Sequence, residues 1–208
     1  MRVSHRFSRA VRSRVYAVMR NRLGMAAPML TEDRRVLEQV IFGHFCCDSR
    51  IKTVLFVGCD SYTAHYQRRY FAKHDYWTLD PDPRVRRFGA KQHVAARAQE
   101  LGQRFPGGFF DLIMCNGVYG WGLDSAVDCD TAFSQFHDCL ADGGYLLIGW
   151  NDLPGRDPAP LAQVRSLSRF EQYSLPALGN WRYLTDTPHR HTYCCYRKID
   201  DGCSDRRS

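Results

Sequence analysis

Thr53-Val54-Leu55-Phe56-Val57-Gly58-Cys59-Asp60-Ser61-Tyr62-Thr63, followed by Tyr76-Trp77-Thr78-Leu79-Asp80, decides the fold. The apolar run 54–57 breaks at Gly58 into a polar turn and a helix-like segment. A second short strand then ends on a lone carboxylate, Asp80. This is the opening β-α-β of a nucleotide-binding sheet. Backbone leaving the first strand must approach a ligand closely, which glycine permits without a Cβ clash. An acid at the tip of the second strand can accept hydrogen bonds from both ribose hydroxyls. Gly58 and Asp80 are 22 residues apart, close to the usual interval of about 20.

The turn has one glycine where a dinucleotide fold wants three. Cys59, Asp60 and Ser61 stand where the later glycines would let a helix N-terminus reach a pyrophosphate. Asp60 would repel a pyrophosphate and welcome a cationic ligand. S-adenosylmethionine fits that demand, with a sulfonium, an ammonium and no phosphate. The alternative is an ordinary α/β core strand with a polar turn.

At 208 residues the chain suits one domain with a substantial core. No run approaches the ~20 apolar residues of a membrane-spanning helix. The net charge of +7 is local: residues 1–31 hold seven arginines and no lysine or acid, leaving 22 basic and 22 acidic residues elsewhere. This arm carries an apolar stripe at helical spacing, Phe7, Val11, Val15, Val18 and Met19. It reads as a lid, a phosphate grip, a membrane-surface helix, a targeting peptide or a docked amphipathic helix. The neutral remainder disfavours an extended nucleic-acid groove. Nine cysteines lack Cys-x-x-Cys and zinc spacing, so they read as reduced thiols of a cytoplasmic protein, with no metal site.

A helix is expected from Thr31, with Val36, Leu37, Val40, Ile41 and Phe45 inward. Strands follow at 53–58, 76–80, 92–95, 110–115 and 145–150. Helices are expected at 62–72, from Asp82-Pro83-Arg84, at 101–105, 125–140 and 161–172, with Asp142-Gly143-Gly144 a terminating turn. Strands 181–184 and 192–197 close the chain as a hairpin around Thr187-Pro188-His189. The pattern predicts a Rossmann-like α/β sheet of seven mostly parallel strands with an antiparallel C-terminal hairpin strand, plus N-terminal helices. Residues 1–30 form an Arg-rich extension, 31–200 the domain and 201–208 a tail.

Val54-Leu-Phe-Val-Gly-Cys-Asp60, Asp80, Phe110-Asp-Leu-Ile-Met-Cys-Asn116 and Leu140-Ala-Asp-Gly-Gly-Tyr-Leu-Leu-Ile148 resemble the class I S-adenosylmethionine-dependent methyltransferases over residues 34–198. The resemblance implies that Gly58, Cys59, Asp60 and Thr63 wrap the methionine part of the cofactor. Asp80 and Pro81 would hold the ribose, with Asn116, Gly117 and Val118 lining the transfer site. The departures are the absent Gly-x-Gly and the ending Ala95-Ala96-Arg97, where many relatives place an acid against adenine.

Methyl transfer needs positioning and exclusion of water more than a triad. Tyr119 and Trp121, in a glycine-rich loop after the fourth strand, are candidates to wall or contact the acceptor. Candidate catalytic groups are His65, Asn116, Tyr119 and Asp152. Asn116 with Tyr119 is similar to the Asn-Pro-Pro-Tyr motif of amino-group methyltransferases, without its prolines. Asp124 reads as a helix cap, and His189 and His191 read as solvent-facing. The function expected is methyl transfer to a small or medium-sized acceptor. Alternatives are an RNA or protein methyltransferase using the basic arm, or a non-catalytic scaffold.

Overall fold

The computed structural model describes residues 31–153 and 160–199, so the expected Arg-rich helix and the C-terminal tail lie outside the described residues. The first helical stretch opens at α1 (Glu32–Arg35), passes through a π-helical segment (Val36–Ile41) and ends in α2 (Phe42–Cys47). Glu32 and Asp33 occupy its first turn, where the helix dipole favours acids. Thr31 stands at the N-cap position in extended backbone without a side-chain capping bond. Val36, Leu37, Ile41, Phe42 and Phe45 are buried against the sheet.

The sheet has eight strands: β1 (Thr53–Val57), β2 (Asp75–Leu79), β3 (Gln92–Val94), β4 (Phe110–Asn116), β5 (Leu140–Asn151), β6 (Phe170–Gln172), β7 (Arg182–Leu184) and β8 (His191–Lys198). Their order is β3-β2-β1-β4-β5-β8-β6, with β7 also pairing β8. The first five strands are parallel; β8 runs antiparallel to β5, β6 and β7. Strand side chains alternate between two packed faces. Leu55, Val57, Ile113, Cys115, Leu146 and Ile148 meet Phe133 and Phe136 of α4 (Ala126–Cys139). Val54, Phe56, Leu112, Met114 and Leu147 meet Leu37, Ile41, Phe42 and Phe45. Phe56 is fully buried, and truncating such a side chain to alanine costs ~3–5 kcal/mol.

Seven strands were expected and eight are present. The extra strand is β6, inside the segment 161–172 read as a helix. There the chain makes two 3-10 turns (Leu161–Gln163 and Arg165–Arg169) and then pairs with β8. Helix 62–72 shrinks to α3 (Tyr66–Arg69) after a run of turns. The segments after β2 and β3 are 3-10 helices, Pro83–Phe88 and Ala98–Gln103. Asp142-Gly143-Gly144 is a bulge within β5: Leu140 pairs with Phe110 and Tyr145 with Leu112, and the residues between are extruded. Strand order reverses between β1 and β4, the place where open α/β sheets bind ligands.

Candidate active site

A cleft of about 690 Å³ opens at that reversal, within the range of small-molecule sites. Its floor is built by the first turn. Gly58 takes φ +91°, and its amide donates to Leu79 O at 2.9 Å, locking the end of β1 to β2. A Cβ at Gly58 would stand 2.6 Å from Val118 Cγ2, so the loops after β1 and β4 touch only because this residue is glycine. Cys59 N donates to Asp80 Oδ2 at 2.9 Å and Asp82 N to Asp80 Oδ1 at 2.8 Å. Asp80 therefore ties two loops together. A carboxylate offers about four lone-pair sites, so two backbone bonds leave acceptor capacity facing the cleft.

Gly58, Cys59, Asp60, Asp80, Pro81, Asn116, Gly117, Val118 and Trp121 all line this cleft. Thr63 does not; it is buried beneath the turn, its hydroxyl donating to Asp60 O at 2.8 Å and accepting from Asp60 N at 3.2 Å. Burial first, then the charge of Asp80, pushes the Cys59 thiol up to about 12, so Cys59 is an uncharged wall.

Five expectations are corrected in position. His65 is buried at the N-cap position of α3 without a side-chain capping bond, its Nε2 3.3 Å from Glu38 Oε2, on the helix side and away from the cleft. Tyr119 is buried between Phe133 and Trp150, and Asp152 pairs with Arg182 at 2.9 Å. Both line a second cavity of about 640 Å³ rather than the cleft. The cap of α4 is Ser125, whose hydroxyl accepts from Asp128 N at 3.1 Å; Asp124 instead accepts from Gly122 N. Finally, His191 does not face solvent. It is 5% exposed, with Nε2 3.1 Å from Asn116 Oδ1 and Nδ1 2.7 Å from Asn151 Oδ1. Burial pulls its pKa down to about 4.

Two further residues escaped the sequence reading. Arg34, buried at the helical end of the cleft, stacks 3.8 Å over Tyr62 and donates to Tyr66 Oη at 3.0 Å. Nothing marks it in sequence, because it reads as one more polar helix position. Gln99 lines the far end, its amide nitrogen donating to Asp128 at 3.2 Å and its oxygen left to accept. The sequence showed there only a missing acid. No cluster of potential metal ligands occurs among the described residues. No described helix is long and apolar enough to cross a membrane.

The family model described as "Methyltransferase domain" matches residues 16–198, well over half of the chain. No curated protein matches this chain. Among solved structures, the N-methyltransferase NodS from Bradyrhizobium japonicum WM9 in complex with S-adenosyl-L-homocysteine is similar at TM-score 0.62 and 14% identity, covering 82% of this chain and 90% of that one. A TehB-like S-adenosylmethionine-dependent methyltransferase from Corynebacterium glutamicum is similar at TM-score 0.59 and 16% identity, covering 91% and 99%. An S-adenosylmethionine-dependent methyltransferase from Methanosarcina mazei is similar at TM-score 0.57 and 12% identity, covering 77% and 97%. With the strand order, the Gly58 turn and the carboxylate at the tip of β2 already in place, the match over residues 16–198 settles the family: this chain belongs to the methyltransferase-domain family and has the class I fold of its S-adenosylmethionine-dependent members.

Proposed function

We propose that this chain transfers a methyl group from S-adenosylmethionine to a small or medium-sized acceptor. The observation that carries the reading is Asp80: a carboxylate fixed by two backbone amides at the switch point, with lone pairs to spare for two ribose hydroxyls. Gly58, Cys59, Asp60 and Pro81 form the adjoining wall, and Thr63 holds the turn in shape. Arg34 lies at the methionine end, where its guanidinium would pair with a carboxylate. Gln99 Oε1 would take the adenine amino group in place of the acid absent after β3. The bound cofactor supplies a sulfonium-activated methyl, so the protein's work is orientation and exclusion of water.

Asn116, Gly117 and Val118 line the transfer locus, and Trp121, 59% exposed, offers a flat wall to an acceptor at the mouth. The eight described cysteines are all free thiols, which supports a reducing, cytoplasmic setting. Calorimetry of Arg34→Met and Gln99→Leu with S-adenosylhomocysteine tests these placements. Each should weaken binding about tenfold, the worth of one charged or buried hydrogen bond. Unchanged affinity in both would move the cofactor out of this cleft.

A further inference from the structure

The neutral sum over residues 32–208 hides a partition of charge. Residues 66–104 hold nine basic side chains and four acids, while the other described residues hold ten and fourteen. The stretch 105–153 has seven aspartates and neither lysine nor arginine. The fold gathers the basic stretch on one flank. β3 is the outer strand of the sheet, beside β2. On one face of that edge lies α3, where Lys91 N donates to Gln67 Oε1 at 3.0 Å and Tyr66 joins the core. The 3-10 helix Pro83–Phe88 joins β2 to β3 and is tied to the first turn, Phe88 O accepting from Thr63 Oγ1 at 3.4 Å. The 3-10 helix Ala98–Gln103 packs on the opposite face, where Leu101 joins the core beneath α4.

The cations therefore wrap the edge from both sides. Arg68 and Arg69 end α3, with Lys73 just beyond it. Arg84, Arg86 and Arg87 stand on the 83–88 helix and Lys91 precedes β3. Arg97 and Arg104 flank the 98–103 helix. All nine are exposed. Arg84 pairs with Asp82 at 2.8 Å, and the other eight make no ion pair among the described residues. Three of the four acids are held by the chain's own donors: Asp80 by Cys59 N and Asp82 N, Asp82 by Arg84, and Glu100 by Arg97 N at 3.2 Å. Eight uncompensated cations facing one way make a field that attracts a polyanion.

Charge near an edge strand can serve to block pairing with another sheet. Here β3 itself carries no lysine, arginine or acid, only Gln92, His93 and Val94, and burial pulls the His93 pKa down. A membrane surface needs apolar side chains to bury, and a protein partner needs an apolar or aromatic anchor. The exposed large apolar residues, Trp121, Val127, Leu184 and Ile199, all lie outside 66–104. Seven of the nine cations are arginine, whose planar fork matches phosphate. We propose that the β3 flank docks the phosphate backbone of a nucleic acid. Arg87 lies 4.7 Å over Phe88, but that ring is 5% exposed and leaves no face for a base, so recognition is of phosphate without base readout. Arg97 also lines the cleft, so the flank borders its mouth. Docking there requires neither cofactor nor methyl transfer.

The test follows fluorescence anisotropy of labelled oligouridine and oligoadenine RNA titrated with the full chain at increasing salt. Affinity should fall with salt, by about 0.7 in log K per unit log salt for each phosphate contacted on a single strand. Arg86→Gln with Arg87→Gln removes two of these cations and should lower that slope by about 1.4 and the affinity at least ~10-fold. Arg68→Gln with Lys91→Gln, on separate elements, should act in the same direction, so the reading does not hang on one helix staying folded. Arg86→Lys with Arg87→Lys keeps the charge and should keep the slope. Arg169→Gln, on the far side of the sheet, should change neither quantity. Wild-type slope and affinity in both glutamine pairs would assign the binding to the arginines of residues 1–31 and overturn the proposal. It would equally be overturned by no RNA binding in the wild-type chain, or by tighter binding to phosphatidylglycerol vesicles than to RNA. A preference beyond ~10-fold between the two oligonucleotides would contradict a phosphate-only contact.

Discussion

Replacing Asp80 by asparagine separates two duties of one side chain. Its oxygens take Cys59 N at 2.9 Å and Asp82 N at 2.8 Å, and the remaining lone pairs face the cleft. Asparagine has one acceptor oxygen, so its NH₂ is forced against one of these two amides or out toward the ribose. Each hydrogen bond to a charged group is worth ~1.5–3 kcal/mol, so two ribose bonds represent ~3–6 kcal/mol. Asp80 is only partly buried, which argues for the lower figure, ~3 kcal/mol or about 100-fold in cofactor affinity. The lost loop bond costs a further ~1–3 kcal/mol of stability, and a chain of this size loses ~2–4 °C in Tm per kcal/mol. Calorimetric titration with S-adenosylhomocysteine, beside a thermal melt, reads both quantities. Affinity within threefold of wild type, with a lowered Tm, would show that Asp80 only staples loops and does not hold the cofactor.

Gly58→Ala should reduce cofactor affinity at least tenfold and lower stability by ~1–3 kcal/mol, because φ +91° disfavours a side chain and the new Cβ meets Val118; a melt and a titration check it. Acid should destabilise the fold through His191: its pKa falls from ~6.5 unfolded to about 4 folded, so the unfolded chain binds the proton first. The stabilisation is full above the unfolded value, is lost as pH falls through the window toward 4, and amounts to at most ~3 kcal/mol. Denaturant melts across that window should flatten in His191→Gln. Iodoacetamide footprinting by mass spectrometry should mark Cys47 first among the described cysteines, since it is exposed while burial pushes Cys59, Cys129 and Cys194 up to about 12.

The strands that carry the cleft were readable because each is a short, continuous apolar run cut by glycine or an acid: 54–57 before Gly58, and 110–115 before Asn116. What the sequence concealed lies in two kinds of place. Leu161, Val164 and Leu167 recur at three-residue steps, which suit an α-helix and a 3-10 turn equally, so β6 was hidden inside an apparent helix. The second kind is long-range pairing. His191 sits in a polar hairpin flank, and only the antiparallel register of β8 on β5, with Gly149 leaving the gap, brings it to Asn116. Arg34 likewise becomes a cleft residue only when the helix packs beside Tyr62 and Tyr66. Tyr119 moved the other way: a residue expected at the acceptor is drawn inward by Phe133 and Trp150.

The most direct measurement is calorimetric titration of the purified chain with S-adenosylmethionine and S-adenosylhomocysteine, with NAD as the control. Micromolar binding of the first two and none of NAD is the expected result, given a cleft with a carboxylate at the tip of β2 and no glycine-rich pyrophosphate turn. Absence of binding to either would contradict it and would leave a methyltransferase fold that serves as a scaffold.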